Sequence, residues 1–287
     1  MDLTSKQTIR DLLKKYGLRP SKKLGQNFLI DKNVLRKILT TANLSSEDTI
    51  LEIGPGPGML TIELAKRVKK VIAVEKDRVL SQLLENILKT EGINNVKVMN
   101  KDILQISQPT ADHLQGGNFK LIANLPYYIT SPVIRKFLEA EHKPEMMVLM
   151  VQKEVAQRIT AIPPKMNLLA VAIQFYAKPE IISYVSKKSF WPQPKVDSAI
   201  IKIVPHVGFN KSHIEFFKIV KIGFSSKRKM LKNNLPSTSD FRPSSVEGLG
   251  TRKIEKIFND LGLNPKARAE NLSIEDWLKL YEEIYKQ

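Results

Sequence analysis

Short apolar runs along the first 200 residues alternate with stretches in which apolar residues recur every three or four positions. The runs are TILEIG (49–54), VIAVEKD (71–77), VKVMNKD (96–102), KLIANLP (120–126) and MMVLMVQ (146–152). Runs of this length, rich in β-branched residues and bounded by turn signals, read as buried strands. The intervening stretches read as helices. One begins near residue 30 with Val34, Leu35, Ile38 and Leu39; others cover 59–68 and 80–88, and a fourth follows Ser131-Pro132, where proline suits a first helical turn. Strands alternating with helices imply right-handed crossovers and a mostly parallel sheet. After about residue 205 the strand signals stop. Residues 210–235, 251–261 and 274–285 read as helices, with loops such as LPSTSDFRPSS between them. The expected organisation is an α/β domain over 1–206, with a basic, partly helical extension at 1–23, and a small all-helical domain over 207–287.

Composition narrows the chemistry. The chain has 287 residues, 42% hydrophobic and 26% charged, as a soluble globular protein has. With no cysteine, disulfide scaffolds, thiolate metal sites and cysteine nucleophiles are excluded. The four histidines (His113, His142, His206, His213) show no metal-ligand spacing, so no metal is expected. Lys plus Arg number 46 against 29 Asp plus Glu, a net charge of +17. That exceeds the usual magnitude of ~2–8 for a small domain and points to a polyanion, nucleic acid before membrane. The longest aliphatic runs, MMVLMV and LLAVAI, fall far short of the ~20 residues that span a bilayer. The N-terminus lacks a signal-peptide apolar segment, so a cytoplasmic protein is expected, and no oligomerisation signal argues against a monomer.

The first strand runs into Glu52-Ile53-Gly54-Pro55-Gly56-Pro57-Gly58. Glycines between a strand and a helix let a ligand approach the backbone at the helix N-terminus. The next strand ends in Glu75, 21 positions after Gly54, where an acid can accept from ribose hydroxyls. The spacing is G-x-G-x-G rather than the dinucleotide G-x-G-x-x-G. Glu52 would repel a pyrophosphate but suits a ligand bearing an ammonium group. Both details favour S-adenosylmethionine over NAD. Asp102, ending the third strand, is placed to accept from an adenine amine. The fourth strand ends in Asn124-Leu125-Pro126-Tyr127. The Asn124 side-chain carbonyl and a backbone carbonyl can both accept from an exocyclic amine, aiming its lone pair at a methyl sulfonium. Tyr127 offers a face on which a flipped base can stack.

The chain resembles the rRNA adenine dimethyltransferases, in the branch that dimethylates two adjacent adenosines near the 3′ end of small-subunit rRNA. The resemblance runs from about Leu18 to the C-terminus. It rests on KKLGQNFLID, LEIGPGPGMLT, VEKD, NLPYYITSP, QKEVAQRI, FWPQPKVDSAI and KRKMLKNNL. It implies a Rossmann-like class I methyltransferase sheet, expected to have seven strands, and a role in ribosome biogenesis. It implies that Gln26, Asn27 and the Leu29 backbone cap the cofactor and that Gly54 lies along its methionine part. Gly56 belongs to the same glycine turn. Glu75 would hold the ribose, and Asp102 with Ile103 the adenine. Asn124, Leu125, Pro126 and Tyr127 would form the catalytic loop, and Phe190 would pack on the target base opposite Tyr127. Pro57 and Tyr128 stand where Leu and Asn are common, and neither removes a proposed hydrogen-bonding side chain.

Basic residues cluster at Lys22 and Lys23 and again at Lys218, Lys221, Lys227, Arg228, Lys229 and Lys232. On one helix, Lys218, Lys221, Arg228 and Lys232 would share a face suited to RNA phosphates. The substrate expected is small-subunit rRNA within an assembling subunit. Two other readings compete: a large-subunit rRNA methyltransferase of the antibiotic-resistance type, and a non-catalytic RNA-binding assembly factor. The Asn-Leu-Pro-Tyr form and the PKVDSAI segment argue against the first. Intact Asn124, Tyr127, Glu75 and Asp102 argue against the second.

Overall fold

The computed structural model describes residues 1–106, 118–206, 214–235 and 251–285. The described residues form nine strands: β1 (Phe28–Leu29), β2 (Thr49–Ile53), β3 (Lys70–Glu75), β4 (Val96–Asn100), β5 (Lys120–Asn124), β6 (Met146–Gln152), β7 (Ala177–Val185), β8 (Phe190–Trp191) and β9 (Ser198–Pro205). Their α-helices are α1 (Lys6–Lys15), α2 (Lys32–Thr41), α3 (Met59–Ala65), α4 (Arg78–Thr90), α5 (Thr130–Leu138), α6 (Lys153–Ile159), α7 (Leu168–Gln174), α8 (Ile214–Gly223), α9 (Leu231–Asn234), α10 (Thr251–Asp260) and α11 (Ile274–Tyr285). The five runs singled out above are strands β2 to β6.

Seven strands make one sheet in the order β4-β3-β2-β5-β6-β9-β7. β9 runs antiparallel to both of its neighbours, and the other strands run together. The central strands are apolar at nearly every position because helices cover both faces of a parallel sheet. Ile50, Leu51, Leu121, Ile122, Val148 and Leu149 are all fully buried. From β2 the chain builds outward through β3 to β4, then returns to place β5 on the other side of β2. That reversal opens a crevice beyond the carboxyl ends of β2 and β5, where ligands of open α/β sheets bind. A second, two-stranded ribbon pairs β1 with β8, Leu29 opposite Phe190.

Helix starts are written locally. Asp31 caps α2 by accepting from the backbone N–H groups of Asn33 and Val34, and Asp77 caps α4 through Val79 and Leu80. At the amino end of β5, the buried Lys120 ammonium sits 2.7 Å from Asp48 Oδ2 and 2.8 Å from the Asn43 carbonyl.

The chain divides into two compact units, Met1–Gln157 with Ala177–Val207 and Arg158–Tyr176 with Gly208–Gln287. This corrects the single cut expected at 206/207: residues 158–176 go with the helical unit. The reason is packing. Met166, Ala170, Val171 and Phe175 share a core with Phe216, Ile219, Phe258 and Trp277, and the Phe175 ring stacks on Phe216 with centroids 4.5 Å apart. A second correction concerns the helix expected over 210–235. Its first residues, 210–213, lie outside the described residues. The remainder is two helices, α8 and α9, separated by a turn that carries Lys227, Arg228 and Lys229. The LPSTSDFRPSS loop lies almost wholly outside the described residues.

Candidate active site

The crevice is an open cleft of about 1060 Å³, solvent at its mouth included, within the first unit. Its floor is the glycine turn between β2 and α3. Gly54, Gly56 and Gly58 have φ of +68°, +57° and +96°, a region that side-chain-bearing residues rarely occupy. Two of these positions also lack room. A Cβ at Gly56 would stand 3.1 Å from the Phe28 ring, and one at Gly58 would stand 2.3 Å from Leu84 of α4. The turn therefore brings bare backbone up to the cleft.

Glu75, at the end of β3, fixes that backbone. Its Oε2 accepts from the Gly56 N–H at 3.1 Å and its Oε1 from the Asp77 N–H at 2.9 Å. Burial raises its pKa, and these two bonds oppose the rise. Asp102 beyond β4 is held by the Lys76 ammonium at 2.8 Å and accepts from the Leu104 N–H at 3.0 Å. The Lys76 contact holds its carboxyl below the usual range. Glu52, at 1% exposure, behaves differently. Its Oε2 finds no hydrogen-bond partner among the described residues, and burial together with the Glu75 charge pushes its carboxyl up to about 8.

The roof is the segment before β1. The Gln26 amide accepts from the Ser21 N–H at 2.7 Å and donates to Asp77 Oδ2 at 3.1 Å, which ties the segment to the cap of α4. Just past β1 the chain is tied to the residue before β8: Ile30 N–H donates to the Ser189 carbonyl, and the Ser189 hydroxyl donates to Asp31 Oδ2, both at 2.8 Å. The Asn124 amide donates to the Asn27 carbonyl at 3.1 Å. One of its two N–H donors is thereby used, and Oδ1 is its accepting atom. Tyr127 is half-buried, its hydroxyl 2.8 Å from Ser198 Oγ on β9.

Thus Gln26, Asn27, Leu29, Gly54, Gly56, Glu75, Asp102, Ile103, Asn124, Leu125, Pro126 and Tyr127 all line one cleft. Phe190 does not. It is 3% exposed, beside Leu29 in the β1–β8 ribbon and within the core of the first unit. Lys22 and Lys23 are exposed in a turn of the first unit. In the second unit, Lys221, Lys227, Arg228 and Lys229 are exposed, while Lys232 is bound to Glu255 at 2.8 Å. Because the helix breaks after α8, Lys221, Arg228 and Lys232 do not form the single helical face expected. Sequence reasoning missed Lys76 and Phe28. Lys76 stood visible next to Glu75, but nothing in the spacing paired it with Asp102, 26 residues on.

A model of the family described as ribosomal RNA adenine dimethylase matches residues 17–286. The chain belongs to that family. It is thus a methyltransferase that acts on adenine in ribosomal RNA. The ribosomal RNA small subunit methyltransferase A of Dehalococcoides mccartyi (strain BAV1) is 45% identical, the match covering 94% of this chain and 90% of the relative. The protein of the same description from Pediococcus pentosaceus is 39% identical over 99% and 96% of the two chains. Among solved structures, a dimethyladenosine transferase from Plasmodium falciparum superposes with a TM-score of 0.77 at 29% identity, covering 90% of this chain and 98% of that one. The 23S rRNA methyltransferase ErmE gives 0.72 at 28% identity over 91% and 100%. Among the described residues, no helix is long and apolar enough to cross a membrane.

Proposed function

We propose that this enzyme transfers four methyl groups from S-adenosylmethionine to the exocyclic amines of two adjacent adenosines in the 3′-terminal hairpin loop of small-subunit rRNA, during subunit assembly. One observation carries the reading. The Asn124 amide is oriented by the Asn27 carbonyl so that its oxygen stands as an acceptor in a cleft floored by bare glycine backbone. The description of the relatives, small subunit methyltransferase, favours this substrate over large-subunit RNA.

The residues present fit the cofactor. Gly54 and Gly56 admit its backbone-hugging part, and the buried Glu52 carboxyl, with no cation against it among the described residues, suits its amino-acid end. Glu75 spends one lone pair of each oxygen on the backbone and keeps others for ribose hydroxyls. Asp102 keeps acceptor capacity for an adenine amine beside Ile103. When bound, the cofactor supplies an electrophilic methyl group on a sulfonium. Asn124 Oδ1 and the backbone carbonyl of the same loop accept from the target amine and hold its lone pair in line, so that position and electrostatics carry the rate. Tyr127, anchored through Ser198, supplies the stacking face. Lys22, Lys23, Lys221, Lys227, Arg228 and Lys229, exposed on a chain of net charge +17, suit the RNA backbone.

The test uses small ribosomal subunits that lack these methyl groups, labelled cofactor, and mass-spectrometric mapping of the products. Dimethyladenosine at the two adjacent hairpin positions is expected. Transfer to large-subunit RNA instead would overturn the substrate assignment. Tight subunit binding with no transfer would return the chain to an assembly-factor role.

A further inference from the structure

Glu52 is costly where it stands. It is the fourth residue of β2, with Ala73 of β3 and Ile122 of β5 as its strand neighbours, and it lines the cleft at 1% exposure. An ionised carboxylate in such a place needs a counter-charge or a full set of donors. The described groups around it supply neither. From β3 it meets Glu75, a like charge already committed to the Gly56 and Asp77 N–H groups. Lys76 is committed to Asp102. β5 brings the uncharged Asn124, and the segment before β1 brings Gln26 and Asn27, all three engaged elsewhere. Lys101 is exposed at the rim. From α3 comes one neutral donor, the buried Thr61 hydroxyl, which draws the carboxyl down without outweighing its burial. No cation thus stands against Glu52 among the described residues, at the edge of a cleft that it lines.

We infer that Glu52 carries a proton in the free enzyme and surrenders it when the ammonium end of an amino-acid-bearing cofactor docks against it, so that cofactor binding releases one proton. This rests on the cofactor named above. The step balances without a co-reactant: the carboxyl O–H bond breaks, the proton passes to solvent, and the carboxylate left behind pairs with the ammonium. The ammonium supplies the counter-charge that the protein withholds. The upward displacement of the carboxyl to about 8 agrees with this geometry. Binding then tightens as pH rises towards 8.

The experiment is titration calorimetry with S-adenosylhomocysteine, which has the same amino-acid end and no methyl group to transfer. Binding enthalpy is measured at pH 7 in buffers of different ionisation enthalpy. Close to one proton released per site is expected, with affinity weakening roughly tenfold per pH unit below pH 7. In Glu52→Gln, which retains the shape of the neutral acid, proton release falls to near zero and the pH slope flattens. The melting temperature of that variant reports its folding. A second readout needs no variant: the protonated-carboxyl stretch in the infrared difference spectrum of the wild-type enzyme is lost on binding. Binding without proton release, or release unchanged in Glu52→Gln, overturns the inference and leaves the cofactor assignment standing. Failure of S-adenosylhomocysteine to bind the wild type overturns both.

Discussion

Asn124 offers two atoms with separable jobs, and substitutions can divide them. Nδ2 donates to the Asn27 carbonyl and steadies the roof of the cleft; Oδ1 remains for the substrate amine. Asn124→Asp keeps an acceptor but sets a carboxylate oxygen against that carbonyl. Losing that bond and leaving the carbonyl unpaired costs about 1–3 kcal/mol. This should appear mainly as weaker cofactor binding and a lower melting temperature. Asn124→Ala removes the acceptor too. An interaction strongest in the transition state is worth about 2.7–4 kcal/mol, so a further fall of roughly 10²–10³ in the single-turnover rate is expected. The assay is single-turnover methyl transfer to unmethylated small subunits at saturating cofactor, with cofactor affinity measured separately. If Asn124→Ala transfers methyl within threefold of wild type at saturation, the amide does not hold the amine. If the two variants share one rate loss, the donor, not the acceptor, matters.

Gly58→Ala sets a methyl group against the end of the buried Leu84 side chain at φ +96° and should cost about 1–3 kcal/mol in urea denaturation; an unchanged midpoint would mean the turn and Leu84 relax freely. Lys120→Met leaves Asp48 without its 2.7 Å partner, 15% exposed, and should cost about 3–5 kcal/mol, with Asp48→Leu restoring much of it; this is read by chemical denaturation of the double-mutant cycle. Changing Lys227, Arg228 and Lys229 together to Gln should lower the salt slope of RNA binding by about two units, at roughly 0.7 per contact, whereas Lys232→Gln alone should change it little because Glu255 holds that ammonium. Glu52 has a native pKa raised from 4.5 to about 8, so the folded state holds its proton longer than the unfolded chain. Its contribution therefore destabilises progressively as pH rises through that range. Glu52→Gln should gain on the wild type by about 1.4 kcal/mol per pH unit between, seen as a growing difference in unfolding free energy.

Much of the molecule is legible in one dimension because its signals are local. A strand buried on both faces must be apolar throughout, so β2 to β6 stand out as runs. A left-handed turn at a ligand needs glycine, so Gly54, Gly56 and Gly58 mark the cleft floor. Acids at strand ends reach the crevice whatever surrounds them, and Glu75 and Asp102 do. Connections between remote residues left no such trace. The pairing of Lys76 with Asp102, the tie from Gln26 to Asp77 and the grip of Asn27 on Asn124 join residues 26, 51 and 97 apart. Each depends on where crossovers set down separate elements. Phe190 is buried where β8 pairs with β1, and an aromatic residue reads alike whether it faces a core or a base. Residues 158–176 joined the helical unit because Phe175 found Phe216, a choice between two apolar surfaces that composition cannot rank. That no cation stands against Glu52 among the described residues is likewise a property of the assembled sheet. An acid before a glycine turn is visible in the chain, but whether any cation or donor reaches it is settled by what folding places nearby.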